Sequence, residues 1–380
     1  MKASMYTAML LVTGVVAGWS EAGDKSAVGP DLKTWEKVVG KAIDFAKSNQ
    51  QANGGWSTDK SPGVTGVMLT GLLRSGLVTA DDPVAARALK YIEGLVNPKA
   101  KHIAGKDPRV QLQNYVTCIN VMALQAANRA DKYKAIIGDA VLFLKKLQWD
   151  EGEDKGPDND FFGGAGYDSK SRPDLSNTQF FLDALKSAGV SSDDPALKKA
   201  MIFVSRCQNL KGEHNDRPWA KKIDDGSFIY TPASGGVTKV IDKANPDGSL
   251  PGYASMTYAG IKSLVYCGVA KDDPRVKKAF EWIQNNYTVE GNAGMPEARK
   301  EWGLFYSYHT MAKCLDALGL DHVVDAKGKK HDWRKDITEA LAKRQRADGS
   351  WSNVSHWMEA DPNLVTGYAL MALSYCKPRK

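Results

Sequence analysis

The stretch Gln345-Arg346-Ala347-Asp348-Gly349-Ser350-Trp351 repeats a pattern already written as Gln50-Gln51-Ala52-Asn53-Gly54-Gly55-Trp56, near the other end of a 380-residue chain. Both read Gln-x-x-x-Gly-x-Trp, and each closes an amphipathic segment, residues 31–50 in one case and 332–345 in the other. The Gln falls in or just past the last helical turn, Gly54 or Gly349 supplies the turn, and the Trp comes back to pack on the next element. Gln50, Gly54, Trp56, Gln345, Gly349 and Trp351 are therefore read as structural. Partial copies without the Trp stand at Gln148 to Gly152 and at Gln208 to Gly212.

Between these strings a second pattern recurs: a Thr or Tyr, a Leu seven residues on, and often a Gly four beyond that. The instances are Thr65/Leu72/Gly76, Thr117/Leu124, Thr178/Leu185/Gly189, Thr257/Leu264/Gly268, Tyr308/Leu315/Gly319 and Thr366/Leu373. Seven residues is nearly two helical turns, so the paired positions share a face. The Gly marks the left-handed stop of the helix. Asp81-Asp82-Pro83, Asp193-Asp194-Pro195 and Asp272-Asp273-Pro274 each start another helix, with Asp as N-cap and Pro in the first turn. The unit is a helical hairpin, and the spacing predicts six of them. First helices are expected over 31–50, 82–96, 132–148, 194–208, 273–286 and 332–345. Second helices are expected over 64–76, 109–128, 175–188, 254–267, 305–318 and 363–376. The first and last units carry the same motif, which favours closure over an open solenoid. The expected fold is all-α, an (α/α)6 toroid of six hairpins in two concentric rings, with residues 23–380 as one domain.

A chain that is 43% apolar and 25% charged has the composition of a water-soluble globular protein, which excludes disorder and collagen-like structure. Lys2, the apolar run Met5 to Trp19 and the small residues Ser20 and Ala22 around Glu21 read as a secretory signal peptide, residues 1–22. The run is short for a bilayer span, so an exported protein, periplasmic or secreted, with no transmembrane span in the mature chain is expected. The formal charge of +7 is scattered without a basic block, which argues against nucleic acid as a partner. Five cysteines, Cys118, Cys207, Cys267, Cys314 and Cys376, lie far apart with no Cys-x-x-Cys spacing. Neither a zinc knuckle nor thiol-redox chemistry is expected; an exported chain leaves room for one or two disulfides, but each Cys sits in an apolar helical pattern, where a buried free thiol is the commoner state.

With the two Gln-to-Trp strings, Asp174-Leu175-Ser176-Asn177-Thr178-Gln179 and Tyr306-Ser307-Tyr308-His309-Thr310, the sequence resembles the α/α-toroid superfamily of squalene and hopene cyclases and protein prenyltransferase β subunits. The resemblance covers nearly the whole chain after residue 22, and it implies that the second helices form the inner ring. It also implies two catalytic signatures, and the sequence departs from both. A cyclase of this kind protonates an alkene from an Asp-x-Asp-Asp-Thr string. Here Asp174 matches, but Ser176 stands at the proton donor and Asn177 replaces the last carboxylate, which leaves Asp174 as a helix N-cap. A prenyltransferase binds zinc through Asp-x-Cys and a distant His; His309 matches the His, but Gly252 to Thr257 contains no Asp-x-Cys. No metal and no cofactor are expected.

The loops that lead into second helices crowd one rim, and two of them, 150–174 and 209–253, are long enough to carry binding. Inner-helix N-termini at that rim suit an anionic group. Asn177, Tyr253, Tyr258, Tyr306, Tyr308 and His309 are the expected ligand-binding residues, with Tyr115, Tyr167, Phe161, Phe162 and Phe180 as further aromatic wall. Asp174, Asp225 and His309 are the catalytic candidates, among the loop acids Asp168, Asp174, Asp224 and Asp225. Two readings follow. One is a binding protein that holds an isoprenoid, lipid or other amphiphile in its lumen. The other is an enzyme of isoprenoid or glycan chemistry that uses loop carboxylates. No protein partner is indicated.

Overall fold

The computed structural model describes residues 27–58, 61–107 and 112–379. The expected signal peptide lies outside the described residues. Twelve α-helices follow in order: α1 (Leu32–Ser48), α2 (Gly63–Arg74), α3 (Pro83–Gly94), α4 (Gln113–Ala126), α5 (Ala130–Lys146), α6 (Leu175–Ser187), α7 (Pro195–Arg206), α8 (Ala254–Tyr266), α9 (Pro274–Asn286), α10 (Leu304–Leu318), α11 (Trp333–Arg344) and α12 (Pro362–Tyr375). Each expected helix is present. The fold is the all-α toroid.

Burial separates the two rings. In α3 only one face is buried, through Val84, Ala85, Ala88, Leu89 and Ile92, as a helix with protein on one side requires. In α2 every residue from Gly63 to Leu73 is buried; a helix apolar on all sides must be surrounded. The even-numbered helices pack in sequence, α2 on α4, α4 on α6, α6 on α8, α8 on α10 and α10 on α12, and α12 returns to α2. The odd-numbered helices lie outside them. No helix among the described residues is long and apolar enough to cross a membrane.

Two glycines let the ring close. A Cβ on Gly71 would stand 2.6 Å from Leu370 Cβ, and one on Gly367 would stand 2.9 Å from the Met68 amide nitrogen. Bare backbones therefore meet at the α2–α12 contact. Beside it, Val28 pairs antiparallel with Arg379, and the Gly29 N–H donates to Asp332 Oδ2 at 2.6 Å. A short antiparallel pair, β1 (Val323–Val324) with β2 (Lys330–His331), ornaments the α10–α11 connection.

The repeated motif is a clamp between neighbouring outer helices. Gln50 Nε2 donates to Gly54 O and to Val84 O in α3, both at 2.8 Å. Gln345 Nε2 donates to Gly349 O and to Val38 O in α1, both at 2.9 Å, and so joins the last unit to the first. Trp56 and Trp351 are buried, each with its indole N–H on a carbonyl of the preceding outer helix, Ala46 O and Leu341 O, at 2.8 Å.

The partial copies are corrected by the structure. Gln148 pairs with Gly163 O and Ala196 O, not across to Gly152, and Gln208 pairs with Gly226 O and Arg275 O, not across to Gly212. Loops are inserted between the Gln and its Gly, so the motif is complete in space and broken in sequence. Ala165 and Phe228 hold the place of the Trp. The recurring Thr explains itself here: Thr65, Thr178, Thr257 and Thr366 accept, at Oγ1, the backbone N–H of Trp56, Ala165, Phe228 and Trp351 respectively. These four inner helices are thus tied to the turns that precede them.

Candidate functional site

A cavity of about 630 Å³ opens at the rim where the inner helices begin. Its walls differ in chemistry. Val64 and Val67 of α2, Val116 and Ile119 of α4, Leu364 of α12 and the loop residues Leu112, Trp357 and Met358 form an apolar side. Asp174 and Ser176 at the start of α6, Tyr253 and Ser255 at the start of α8, and Arg172, Tyr230 and Lys239 from the two long loops form a polar side. Tyr115, Tyr306 and Tyr368 lie between them; the Tyr115 and Tyr368 hydroxyls are 3.2 Å apart, and the rings of Tyr306 and Tyr368 meet edge to face.

The polar side is built by helix capping. Asp174 is extended and N-caps α6, with Oδ1 accepting the Asn177 N–H at 2.8 Å and Oδ2 accepting from Asn177 Nδ2 at 3.0 Å. Burial raises its carboxyl above the ordinary value, against the hydrogen bonds from Asn177 and the Tyr230 hydroxyl and the charge of Arg172. Glu359 does the equivalent for α10 from a distant loop: Oε1 accepts the Tyr306 N–H at 2.9 Å and Oε2 accepts from Asn353 Nδ2 at 2.7 Å. Glu359 is 1% exposed, and burial pushes its carboxyl up to about 7. The loop that carries it turns through left-handed Trp357 and Met358, and Trp302 stacks on His356 at 3.6 Å.

Those two carboxylates already occupy the positive ends of α6 and α10. The charge an anionic ligand would meet is elsewhere. Lys239 Nζ stands 4.5 Å and Arg172 Cζ 5.6 Å from the centre of the Tyr230 ring, and neither forms an ion pair with a described residue. Arg172 Nη1 is buried without a hydrogen-bond partner. Burial and the neighbouring Arg172 lower the Lys239 pKa, which Asp174 only partly offsets.

Of the residues singled out in the sequence, Asp174, Tyr253 and Tyr306 line the cavity, as do Tyr115 and Tyr167 of the aromatic wall. Asn177 lies behind the wall, held by Asp174 and Asn114. Tyr258 is buried in the ring, and Tyr308 points its hydroxyl to Val289 O at 2.6 Å, so neither reaches the cavity. Asp225 is corrected from rim acid to turn residue: Oδ1 accepts from both the backbone N–H and the hydroxyl of Ser227. Asp168 does the same for Ser171. His309 is buried below the lining, stacked between Phe180 and Tyr368, with neither ring nitrogen hydrogen-bonded. Burial, then the charges of Lys313 and Lys262, hold its pKa well below the ordinary value. Two aromatic faces and two nearby ammonium groups do not fit a zinc site of the prenyltransferase kind.

Glu359, Arg172, Lys239 and Tyr230 were not read from the sequence, because each sits on a loop whose path decides where it points. A second feature escaped as well. Asp183 on α6 is fully buried between Lys262 of α8, 2.7 Å away, and Lys313 of α10, 2.8 Å away. Its signal was present: a Lys within a segment otherwise free of charge, Ala254–Tyr266, requires a buried partner on a neighbouring helix.

Comparison with solved structures agrees with this architecture. The type II terpene cyclase MstE from Scytonema superposes with a TM-score of 0.56 at 13% identity, over 91% of this chain and 98% of that one. A variant of that cyclase, in complex with geranylgeranyl dihydroxybenzoate as substrate, gives 0.55 at 13% identity, covering 91% and 97%. A wild-type glycosidase gives 0.52 at 13% identity, covering 91% and 97%. No protein-family model and no curated protein sequence matches the chain. The fold is the α/α toroid that this cyclase and this glycosidase share. At this identity the likeness is one of fold.

Proposed function

We propose that the protein is an exported toroid that binds an anionic amphiphile in the rim cavity, its chain against α2, α4 and α12 and its headgroup at Arg172 and Lys239. The observation that carries this reading is the presence, in one cavity, of an apolar wall facing two cations that no carboxylate pairs. A cavity of this size and lining suits a drug-sized or lipid-sized molecule. The neighbour solved with geranylgeranyl dihydroxybenzoate also holds an apolar chain joined to a polar ring. With Ser176 at the position where the cyclase string places its acid, alkene protonation has no donor there, and binding is the simpler use of the site. Isothermal titration of the purified protein with hexadecyl phosphate, hexadecyltrimethylammonium and maltohexaose tests it. The phosphate should bind one to one and the cation should not. Arg172→Gln and Lys239→Gln should each weaken the phosphate by about tenfold, more at low salt than at high. Binding of the maltohexaose alone would overturn the reading. Export is tested by the N-terminus of protein recovered from its host: Gly23 supports it and retained Met1 contradicts it.

Glu359 favours a second reading. A buried carboxyl near neutrality that lines the same cavity as a second buried acid, Asp174, is a pairing that general acid chemistry on a glycoside can use. That reading requires turnover of a glycan that Glu359→Gln abolishes without lowering the melting temperature.

A further inference from the structure

The buried charges under the cavity give one hydrogen-bond chain a fixed direction. Lys262 Nζ contacts Asp183 and also Gln179 Oε1. An ammonium only donates, so the Gln179 atom facing it is the carbonyl oxygen, and the amide nitrogen faces the other way. That nitrogen lies 3.1 Å from the Tyr306 hydroxyl. An amide nitrogen also only donates, so the phenol oxygen accepts from Gln179, and the phenol proton has to be given elsewhere. Ser176 Oγ, 3.2 Å away, marks the cavity wall on that side, and either hydroxyl of this pair can donate to the other. Burial pushes the Tyr306 phenol well above its ordinary value, which keeps that proton in place. Lys313 shares Asp183 Oδ2 with Lys262, each at 2.8 Å, and so fixes the carboxylate that anchors Lys262.

We propose that Tyr306 is the hydrogen-bond donor this cavity presents to its ligand, turned toward the lining by Lys262 through Gln179, and that the ligand is an anionic amphiphile with an acceptor oxygen beside its headgroup. The proposal rests on the binding reading above and adds a requirement to it. Ser176 lies two residues along the chain from Asp174, on whose carboxylate the Tyr230 hydroxyl bonds, and Tyr230 carries the Arg172 and Lys239 pair. The Tyr306 proton is therefore offered near the headgroup, where a glycerol hydroxyl or ester oxygen sits, and not along the apolar chain. Tyr306 sets specificity; Gln179 and Lys262 are positioning residues.

The test uses two probes, hexadecyl phosphate and 1-hexadecanoyl-glycerol 3-phosphate, titrated against the wild type, Tyr306→Phe, Gln179→Leu and Lys262→Met. The wild type should prefer the glycerol phosphate by about tenfold, the scale of one net hydrogen bond. Tyr306→Phe should bring the ratio of the two affinities to about one, and Gln179→Leu should reduce it. Equal affinity for both probes in the wild type would overturn the proposal. Independently, the 13Cζ resonance of labelled Tyr306 should move in Gln179→Leu, and in Lys262→Met if that variant folds. An unmoved resonance in Gln179→Leu would overturn the orientation argument. Failure of both probes to bind the wild type would overturn the amphiphile reading, and with it the ligand assigned here; the resonance would then decide separately on the direction of the Tyr306 proton.

Discussion

Gln208 donates to the carbonyl of Gly226, 3.0 Å away and 18 residues further along the chain, where its counterpart Gln50 reaches Gly54 across only 4. The same clamp holds in both places because the long loop is inserted inside the motif and leaves its two ends where they were. Replacing Gln208 by Leu strips a donor from two carbonyls, the buried Gly226 O and the half-buried Arg275 O. The expected loss is about 1 to 3 kcal/mol, read from denaturant unfolding.

Glycine at the clamp answers two demands at once. Gly163 has φ +80°, and a Cβ there would stand 1.9 Å from Lys199 O. Gly76 has φ +73° with nothing within 4 Å. Gly76→Ala should cost about 1 to 2 kcal/mol, from the left-handed backbone alone. Gly163→Ala should cost at least twice that, since α7 has to move as well. Equal melting temperatures for the two variants would refute the contact.

Trp351 is fully buried, with its N–H on Leu341 O. Trp351→Ala removes both the indole volume and that bond, and about 3 to 5 kcal/mol of stability should go with it. An unchanged melting point would contradict the packing described for the clamp.

Glu359 sets a pH dependence whose sign can be worked out. Its carboxyl is raised from 4.5 to about 7, so between those values the folded protein holds a proton that the unfolded chain has released. Stability from this group is fully present below about pH 4.5 and is lost as pH rises through 7, by about 3 kcal/mol. Glu359→Gln should flatten that slope, and it should leave the variant the more stable protein at pH 8. Thermal melts at intervals from pH 4.5 to 8 would show it; a slope that survives the substitution would assign the effect to another group.

The fold was legible because its signals are local. Twelve helices announce themselves by seven-residue spacing, Asp-Pro starts and Gly stops, and two unbroken Gln-to-Trp strings mark the first and last clamps. The middle clamps at Gln148 and Gln208 were half hidden, since the partner glycines, Gly163 and Gly226, lie beyond insertions that no periodicity spans. The cavity was legible to the extent that inner helices build it, as at Asp174, Tyr253 and Tyr306. Where loops build it, at Arg172, Tyr230, Lys239 and Glu359, direction comes from tertiary contacts alone. Periodicity also failed inside the ring: when every face of a helix is buried, the spacing no longer says which side meets the lumen, and Tyr258, Tyr308 and His309 were placed there on residue type.

The bare-backbone contact of Gly71 and Gly367 bears on how the molecule is made. α2 emerges early and α12 last, so the inner face of α2 has no permanent neighbour on that side until almost the whole chain has been synthesised. A substitution that widens either glycine should therefore show itself first as poor yield and proteolysis of the nascent protein, before any change in the molecules that do close.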